Sequence, residues 1–229
     1  MFYDFSVQSQ SPIDYSQSLV ASSILASDFS QLETEIRRVS NAGSDWIHCD
    51  VMDGHFVDNI SFGPTFVRAV SEHASLPLDT HLMIDRPDHY LERFLPFCNS
   101  IISHVEAHHD VAQTLSRVRH ANRLAGLALN PETPLERVIP YFGMFDILLV
   151  MTVHPGFGGQ AFIPATLEKI QQANQLREKK AASFHIAVDG GIDPQTAPLC
   201  RSAGANVFVA GTAIFKASNM QTAIQSIRQ

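Results

Sequence analysis

Short apolar runs alternate along nearly the whole chain with longer stretches in which apolar residues recur every third or fourth position. The short runs suit strands covered on both faces, and the longer ones suit amphipathic helices packed against them. Strands are predicted at 19–25, 46–50, 78–83, 101–105, 126–129, 147–152, 184–188 and 207–210. Between them, Asp28 reads as the N-cap of a helix carrying Phe29, Leu32, Ile36 and Val39 on one face, which Gly43 closes. Further helices are predicted at 66–72 behind Pro64, from Pro87 onward, at 110–124, briefly from Pro134 to near Tyr141, at 164–180, from Asp193-Pro194 to Ala203, and at 220–228. Similar helix-to-strand turns recur at Ala42-Gly43-Ser44-Asp45 and Ala203-Gly204-Ala205-Asn206, as repeated α/β units require. Eight strand-then-helix units predict an α/β fold, a (β/α)8 barrel of the TIM type. An open doubly wound sheet shares most of these local signals; the barrel is preferred because the residues able to do chemistry fall at the C-terminal ends of the strands.

One such end is His48-Cys49-Asp50-Val51-Met52-Asp53-Gly54. Alternation along a strand makes His48 and Asp50 project together, with Met52 behind them, and sends Cys49 toward the helix layer. An imidazole beside a carboxylate is half of a metal site. His81, near the end of the third strand, and Asp189, just after the seventh, are candidates for the other half. Two neutral imidazoles and two carboxylates hold a divalent transition metal and leave room for substrate oxygens; zinc, iron(II), manganese and cobalt all suit such donors. A lone histidine in a chain with eleven is more often structural, so the shared placement at strand ends carries the weight.

Glycines form a second pattern. Gly156-Phe157-Gly158-Gly159 follows the sixth strand, Gly190-Gly191 the seventh and Gly211-Thr212 the eighth. Glycine lets backbone N–H groups approach an anion, and barrels commonly bind phosphate at the loops after the last strands. A metal on one side of the mouth and a phosphate on the other point to a short phosphorylated sugar. Asp50 and Asp189, from strands far apart around the ring, can then meet a bound carbon from opposite faces. One removes a proton to give a metal-stabilised enediolate, and the other returns it, inverting the carbon. The alternative is that both aspartates are only ligands and a third group moves the proton. Met52, Met83 and Met151 read first as packing and second as a water-excluding roof over the reacting carbons. His154 reads as a loop residue outside the site.

Composition narrows the picture further. The 229 residues suit one barrel at 18–229 preceded by an extension at 1–17. That extension is rich in Ser and Gln and lacks the basic start and apolar core of a secretory signal. A net charge of -7 argues against a nucleic-acid partner, while leaving room for a local anion site built from backbone dipoles. No stretch is long and apolar enough to span a membrane. Three widely spaced cysteines, Cys49, Cys98 and Cys200, read as reduced buried thiols. A cytoplasmic protein is expected.

From Leu19 onward the chain resembles the ribulose-phosphate 3-epimerase family. The markers are Ser23-Ile24-Leu25, the run from His48 through Gly54 to His55-Phe56, Leu78-Asp79-Thr80-His81-Leu82-Met83, the run Met151 to Gln160, and Val188-Asp189-Gly190-Gly191. Ser22 stands where the family typically has proline, and Thr212 stands for a more common serine. The resemblance implies a barrel of the ribulose-phosphate-binding type that interconverts D-ribulose 5-phosphate and D-xylulose 5-phosphate in the pentose phosphate pathway. It implies one divalent ion per subunit, commonly zinc or iron(II), on His48, Asp50, His81 and Asp189, with Asp50 and Asp189 as the acid/base pair. It further implies that Ser23 and His81 touch the sugar, that Gly156, Phe157, Gly158, Gly159, Asp189, Gly190, Gly191, Gly211 and Thr212 surround the substrate, and that the protein is a homo-oligomer. Three alternatives remain: an epimerase for D-allulose 6-phosphate, a sugar-phosphate lyase, and a non-catalytic sugar-phosphate binder. The lyase is disfavoured by the lack of a lysine at a predicted strand end, since Lys169, Lys179, Lys180 and Lys216 all fall on or near helices.

Overall fold

The computed structural model describes residues 17–179 and 182–229. Eight parallel strands close into a barrel: β1 (Leu19–Ser23), β2 (Trp46–Met52), β3 (Leu78–Met83), β4 (Ser100–His104), β5 (Leu124–Leu129), β6 (Ile147–Met151), β7 (His185–Asp189) and β8 (Val207–Ala210). β1 pairs with β8, Val20 opposite Phe208, and this closure rules out the open sheet. The outer layer holds α1 (Leu32–Asn41), α2 (Pro64–His73), α3 (Leu91–Phe94), α4 (Val111–His120), α5 (Thr166–Lys179), α6 (Ala197–Ala203), α7 (Thr212–Phe215) and α8 (Met220–Arg228).

Alternation divides each strand between two cores. Ile47, Cys49 and Val51 of β2 face outward and pack with Val67 and Val70 of α2 in one large cluster. Ala21, Ile102, Ala128, Ile147, Leu149, Met151, Ala187, Val207 and Val209 fill the barrel itself. Cys49 lies in the outer core as expected, and all three cysteines are free and buried.

Several boundaries differ from the sequence reading. β1 stops at Ser23, and Ile24–Ala26 forms a 3-10 turn that folds the chain over the barrel mouth. Asp28 caps a second 3-10 turn, accepting from the Ser30 N–H, before α1 starts at Leu32. β2 runs on to Met52, because Ser61 pairs with its edge: the Met52 N–H donates to the Ser61 hydroxyl, which donates to the Asp50 carbonyl. The helix expected at Pro87 is a 3-10 turn followed by the single turn α3. The brief helix from Pro134 is two 3-10 turns, the second containing Pro140, which has no N–H to continue a ladder. α4 stops at His120, since Asn122 adopts φ 56° and turns the chain into β5. α7, directly after Gly211, is an element the sequence reading lacks. The expectations for the extension and for Lys180 fall outside the described residues, apart from Gln17.

Candidate active site

The register of the parallel strands assembles one cluster. β2 and β3 place His48 beside Asp79 and Asp50 beside His81, while β1 sets Ser23 beside His48. Asp189 ends β7, where the Thr152 hydroxyl bonds the carbonyls of Asp189 (2.9 Å) and Gly190 (2.5 Å). As a result, ligand atoms of His48, Asp50, His81 and Asp189 all lie within 4.8 Å of one another.

The two carboxylates are held differently. Asp50 accepts from the Ser23 hydroxyl at 2.6 Å and faces His48 Nε2 at 3.2 Å and His81 Nδ1 at 3.3 Å. Asp189 stands farther off, 3.6 Å from His81 Nδ1 and 3.9 Å from His48 Nε2. Burial pushes the Asp50 carboxyl up, but the charge and hydrogen bonds of His48 and His81 outweigh it and hold it well below the usual range. Asp189 moves the other way, raised by burial and by the neighbouring charge of Asp50. Burial alone would lower both imidazoles. The surrounding carboxylates reverse this, lifting His48 well above its ordinary value through Asp50 and Asp79, and lifting His81 through Asp189 and Asp50. A pocket that draws protons onto buried imidazoles is short of positive charge. Two nitrogen and two oxygen donors converging there fit a divalent transition metal.

A cavity of about 350 Å³ opens over this cluster. Ser23, Asp50 and Asp189 line it, together with Met52, Met83 and Met151, each of which is buried. His48 and His81 are fully buried behind the aspartates and do not line it. Gly156, Phe157, Gly158, Gly159, Gly190, Gly191, Gly211 and Thr212 line it too. Phe157 stands 58% exposed at the rim. Gly190 and Gly191 adopt φ 114° and 64°; a Cβ on Gly190 would meet Val153 at 2.3 Å, and one on Gly191 would meet the Phe162 backbone at 2.7 Å. Asn59, in the loop after β2, reaches across to donate to the Gly156 carbonyl at 2.6 Å, and Gln160 closes the glycine loop on the carbonyls of His154 and Phe157. His154 is exposed, 3.4 Å from Glu132.

Residues the sequence reading did not single out support the cluster from behind. Asp79 lies 2.8 Å from His48 Nδ1 and accepts from the Ser100 hydroxyl. His104 meets His81, nitrogen to nitrogen, at 2.8 Å, and Glu106 lies 3.2 Å beyond it. The spacing His104-x-Glu106 at a strand end repeats His48-x-Asp50, a signal present in the sequence.

Comparison with known proteins decides the family. The family model described as the ribulose-phosphate 3 epimerase family matches residues 19–215. The chain belongs to the ribulose-phosphate 3-epimerase family. A ribulose-phosphate 3-epimerase of Bacillus subtilis is 45% identical over 211 residues, covering 91% of this chain and 97% of that protein. The chloroplastic ribulose-5-phosphate-3-epimerase of Arabidopsis thaliana is 40% identical, covering 92% of this chain and 76% of that protein. Relatives of that name at such coverage make this chain an epimerase. Among solved structures, KGPDC from Streptococcus mutans superposes with a TM-score of 0.69 at 12% identity, covering 91% of this chain and 94% of that one. The 3-hexulose-6-phosphate synthase of Salmonella typhimurium does so with a TM-score of 0.64 at 18% identity, covering 92% and 97%. These two likenesses are of fold. Among the described residues, no helix of this epimerase is long and apolar enough to cross a membrane.

Proposed function

We propose that this epimerase interconverts D-ribulose 5-phosphate and D-xylulose 5-phosphate by moving a proton at carbon 3 between Asp50 and Asp189, as a step of the pentose phosphate pathway. The observation that carries the reading is the placement of two aspartates from distant strands, Asp50 on β2 and Asp189 at the end of β7, on one cavity. A two-base inversion needs one such group ionised to accept and the other protonated to donate.

The ionised Asp50 takes the proton from carbon 3, and the electron pair of the broken C–H bond moves into the adjoining ketone as an enediolate. Asp189 delivers its proton to the other face of carbon 3, which inverts the centre. The two aspartates have then exchanged states, and the reverse reaction starts from that exchanged pair. His48, Asp50, His81 and Asp189 would hold one divalent cation, zinc or iron(II) first and manganese or cobalt next, which when bound supplies positive charge against the developing enediolate oxygens. Ser23, donating to Asp50 and lining the cavity, is placed to orient both the carboxylate and the sugar. Met52, Met83 and Met151 present apolar surface to the cavity and exclude water from the reacting carbon. The phosphate is assigned to the glycine loops, where backbone N–H groups and the Thr212 hydroxyl meet the cavity and Lys216 lines it as well. Three buried thiols suit a reducing compartment such as the cytoplasm. A symmetric homo-oligomer is proposed with it, to be checked by light scattering.

Turnover in D₂O tests the reaction: deuterium should enter at carbon 3 without carbon–carbon cleavage, and release of formaldehyde or CO₂ would replace this reading with a lyase. A higher kcat/KM on D-allulose 6-phosphate than on D-ribulose 5-phosphate would reassign the substrate. Asp50→Asn and Asp189→Asn should each lower kcat by about 10³-fold in protein assayed for full metal content. Near-normal turnover in either metal-replete variant overturns its assigned role.

A further inference from the structure

Each imidazole of the cluster has one nitrogen turned to the carboxylates and one turned away, and the two that turn away are tied down differently. His48 presents Nε2 to Asp50 and leaves Nδ1 to Asp79, 2.8 Å away. His81 presents Nδ1, and its Nε2 meets not a carboxylate but another ring nitrogen, His104 Nε2, at 2.8 Å. Two nitrogens at that distance share one proton, and something must decide which ring carries it.

Glu106 decides. Its Oε1 accepts from the Asn130 N–H at 2.8 Å, and its Oε2 faces His104 Nδ1 at 3.2 Å. A carboxylate only accepts, so the His104 proton sits on Nδ1. His104 is fully buried, with the Phe56 ring 4.7 Å away between centroids, and a second proton there would be a buried cation. Its Nε2 is therefore a bare acceptor, and the shared proton belongs to His81 Nε2. A cation in the cluster would displace any proton from Nδ1, and the neutral imidazole that remains carries its one N–H on Nε2, which leaves the lone pair of His81 on Nδ1, 3.3 Å from Asp50 and 3.6 Å from Asp189. The turn that supplies the Asn130 N–H is itself held by Lys169 of α5, whose Nζ donates to the carbonyls of Asn130 (2.7 Å) and Pro131 (2.9 Å).

We propose that His104 and Glu106 are positioning residues that fix the tautomer of His81, so that its Nδ1 offers a lone pair to the cation rather than an N–H. The proposal rests on the reading of the four-residue cluster as a cation site, and the test separates the two. In ¹⁵N-histidine-labelled protein, long-range proton–nitrogen correlations should show His104 protonated on Nδ1 and bare on Nε2, and His81 protonated on Nε2, both before and after zinc is added. His104 carrying its proton on Nε2 overturns the relay without any variant having to fold. Glu106→Gln puts an NH2 donor in place of one of the two oxygens, so it faces either the Asn130 N–H or the His104 Nδ1–H with a donor. Zinc affinity, measured by competition with a chromophoric chelator, should fall 10- to 100-fold in Glu106→Gln and in His104→Phe. Glu132→Gln, at the exposed pair with His154, should leave it unchanged. Folded Glu106→Gln with the zinc affinity of the parent overturns the proposal. If the parent protein takes up none of zinc, iron(II), manganese and cobalt, the cation reading fails, and the spectrum of the metal-free protein still decides the relay.

Discussion

The interior of this barrel is made of two unlike halves. β2, β3 and β4 turn His48, Asp50, Asp79, His81, Ser100 and His104 inward, all of them buried, with Ile102 among them. β5 to β8 turn inward Ala128, Ile147, Leu149, Met151, Ala187, Val207 and Val209, with His185 and Asp189 at the two ends of β7. Barrel interiors are ordinarily packed with branched apolar residues, so the second half is the expected one. The first half tolerates burial because its polar groups are paired through the His48–Asp79–Ser100 and His81–His104–Glu106 chains. Above the strands the mouth divides the same way. The polar half builds its site from side chains on rigid strands, and the apolar half builds its side largely from glycine backbone in loops. Charge that must be placed to a fraction of an ångström comes from strands, whereas an anion that only needs N–H dipoles is met by loops.

The comparison can be broken where the halves match in stability but differ in function. Asp79→Ala, which strands the His48 N–H and the Ser100 hydroxyl, and Leu149→Ala, which leaves a cavity, should each cost about 3 kcal/mol in urea unfolding. Only Asp79→Ala should weaken zinc binding, and equal zinc affinities in the two would remove the distinction. On the loop side, Gly190→Ala should cost about 2–3 kcal/mol through its φ and its clash with Val153. It should raise KM for the phosphorylated substrate and, because Thr152 clamps Gly190 to Asp189, weaken zinc binding by less than Asp79→Ala does; a larger loss of zinc affinity than in Asp79→Ala would remove the distinction.

The one imidazole at the floor of the apolar half gives a pH test. Burial drives His185 down to about 4, while the Asn206 amide donates to its Nδ1 at 2.8 Å. The unfolded chain takes up this proton near its ordinary 6.5, before the folded one does, so stability should fall as pH drops from about 6.5 toward 4. His185→Gln should flatten that slope by about 2 kcal/mol in denaturation curves run across this range. The smallest effect belongs to Gly158→Ala. A Cβ there meets nothing within 4 Å, so stability should change by less than about 0.5 kcal/mol.

The strand alternation that puts His48 and Asp50 on one face was legible in five residues of sequence, and the Pro and Gly punctuation located most helices. The pairing of His48 with Asp79 was not, because it depends on the offset between β2 and β3, a property of the closed sheet rather than of either strand. His104 carried a signal in its His104-x-Glu106 spacing, but among eleven histidines only its contact with His81 from a neighbouring strand assigns it a role. α7 escaped because four residues, Thr212–Phe215, carry too little periodicity to register as a helix. The two 3-10 turns before β6 misled because Leu135 and Val138 keep helical spacing although Pro140 prevents a longer helix.

Thr152 binds the carbonyls of Asp189 and Gly190 together, and Gly191 follows at once. The acid proposed to meet the reacting carbon and the backbone proposed for the phosphate are therefore consecutive links of one clamped segment, about 3.8 Å per residue. On the proposed reading that segment is a ruler. It gauges how many carbons separate the inverted centre from the phosphate, and a ketose longer by one carbon has to bend or shift to satisfy both ends.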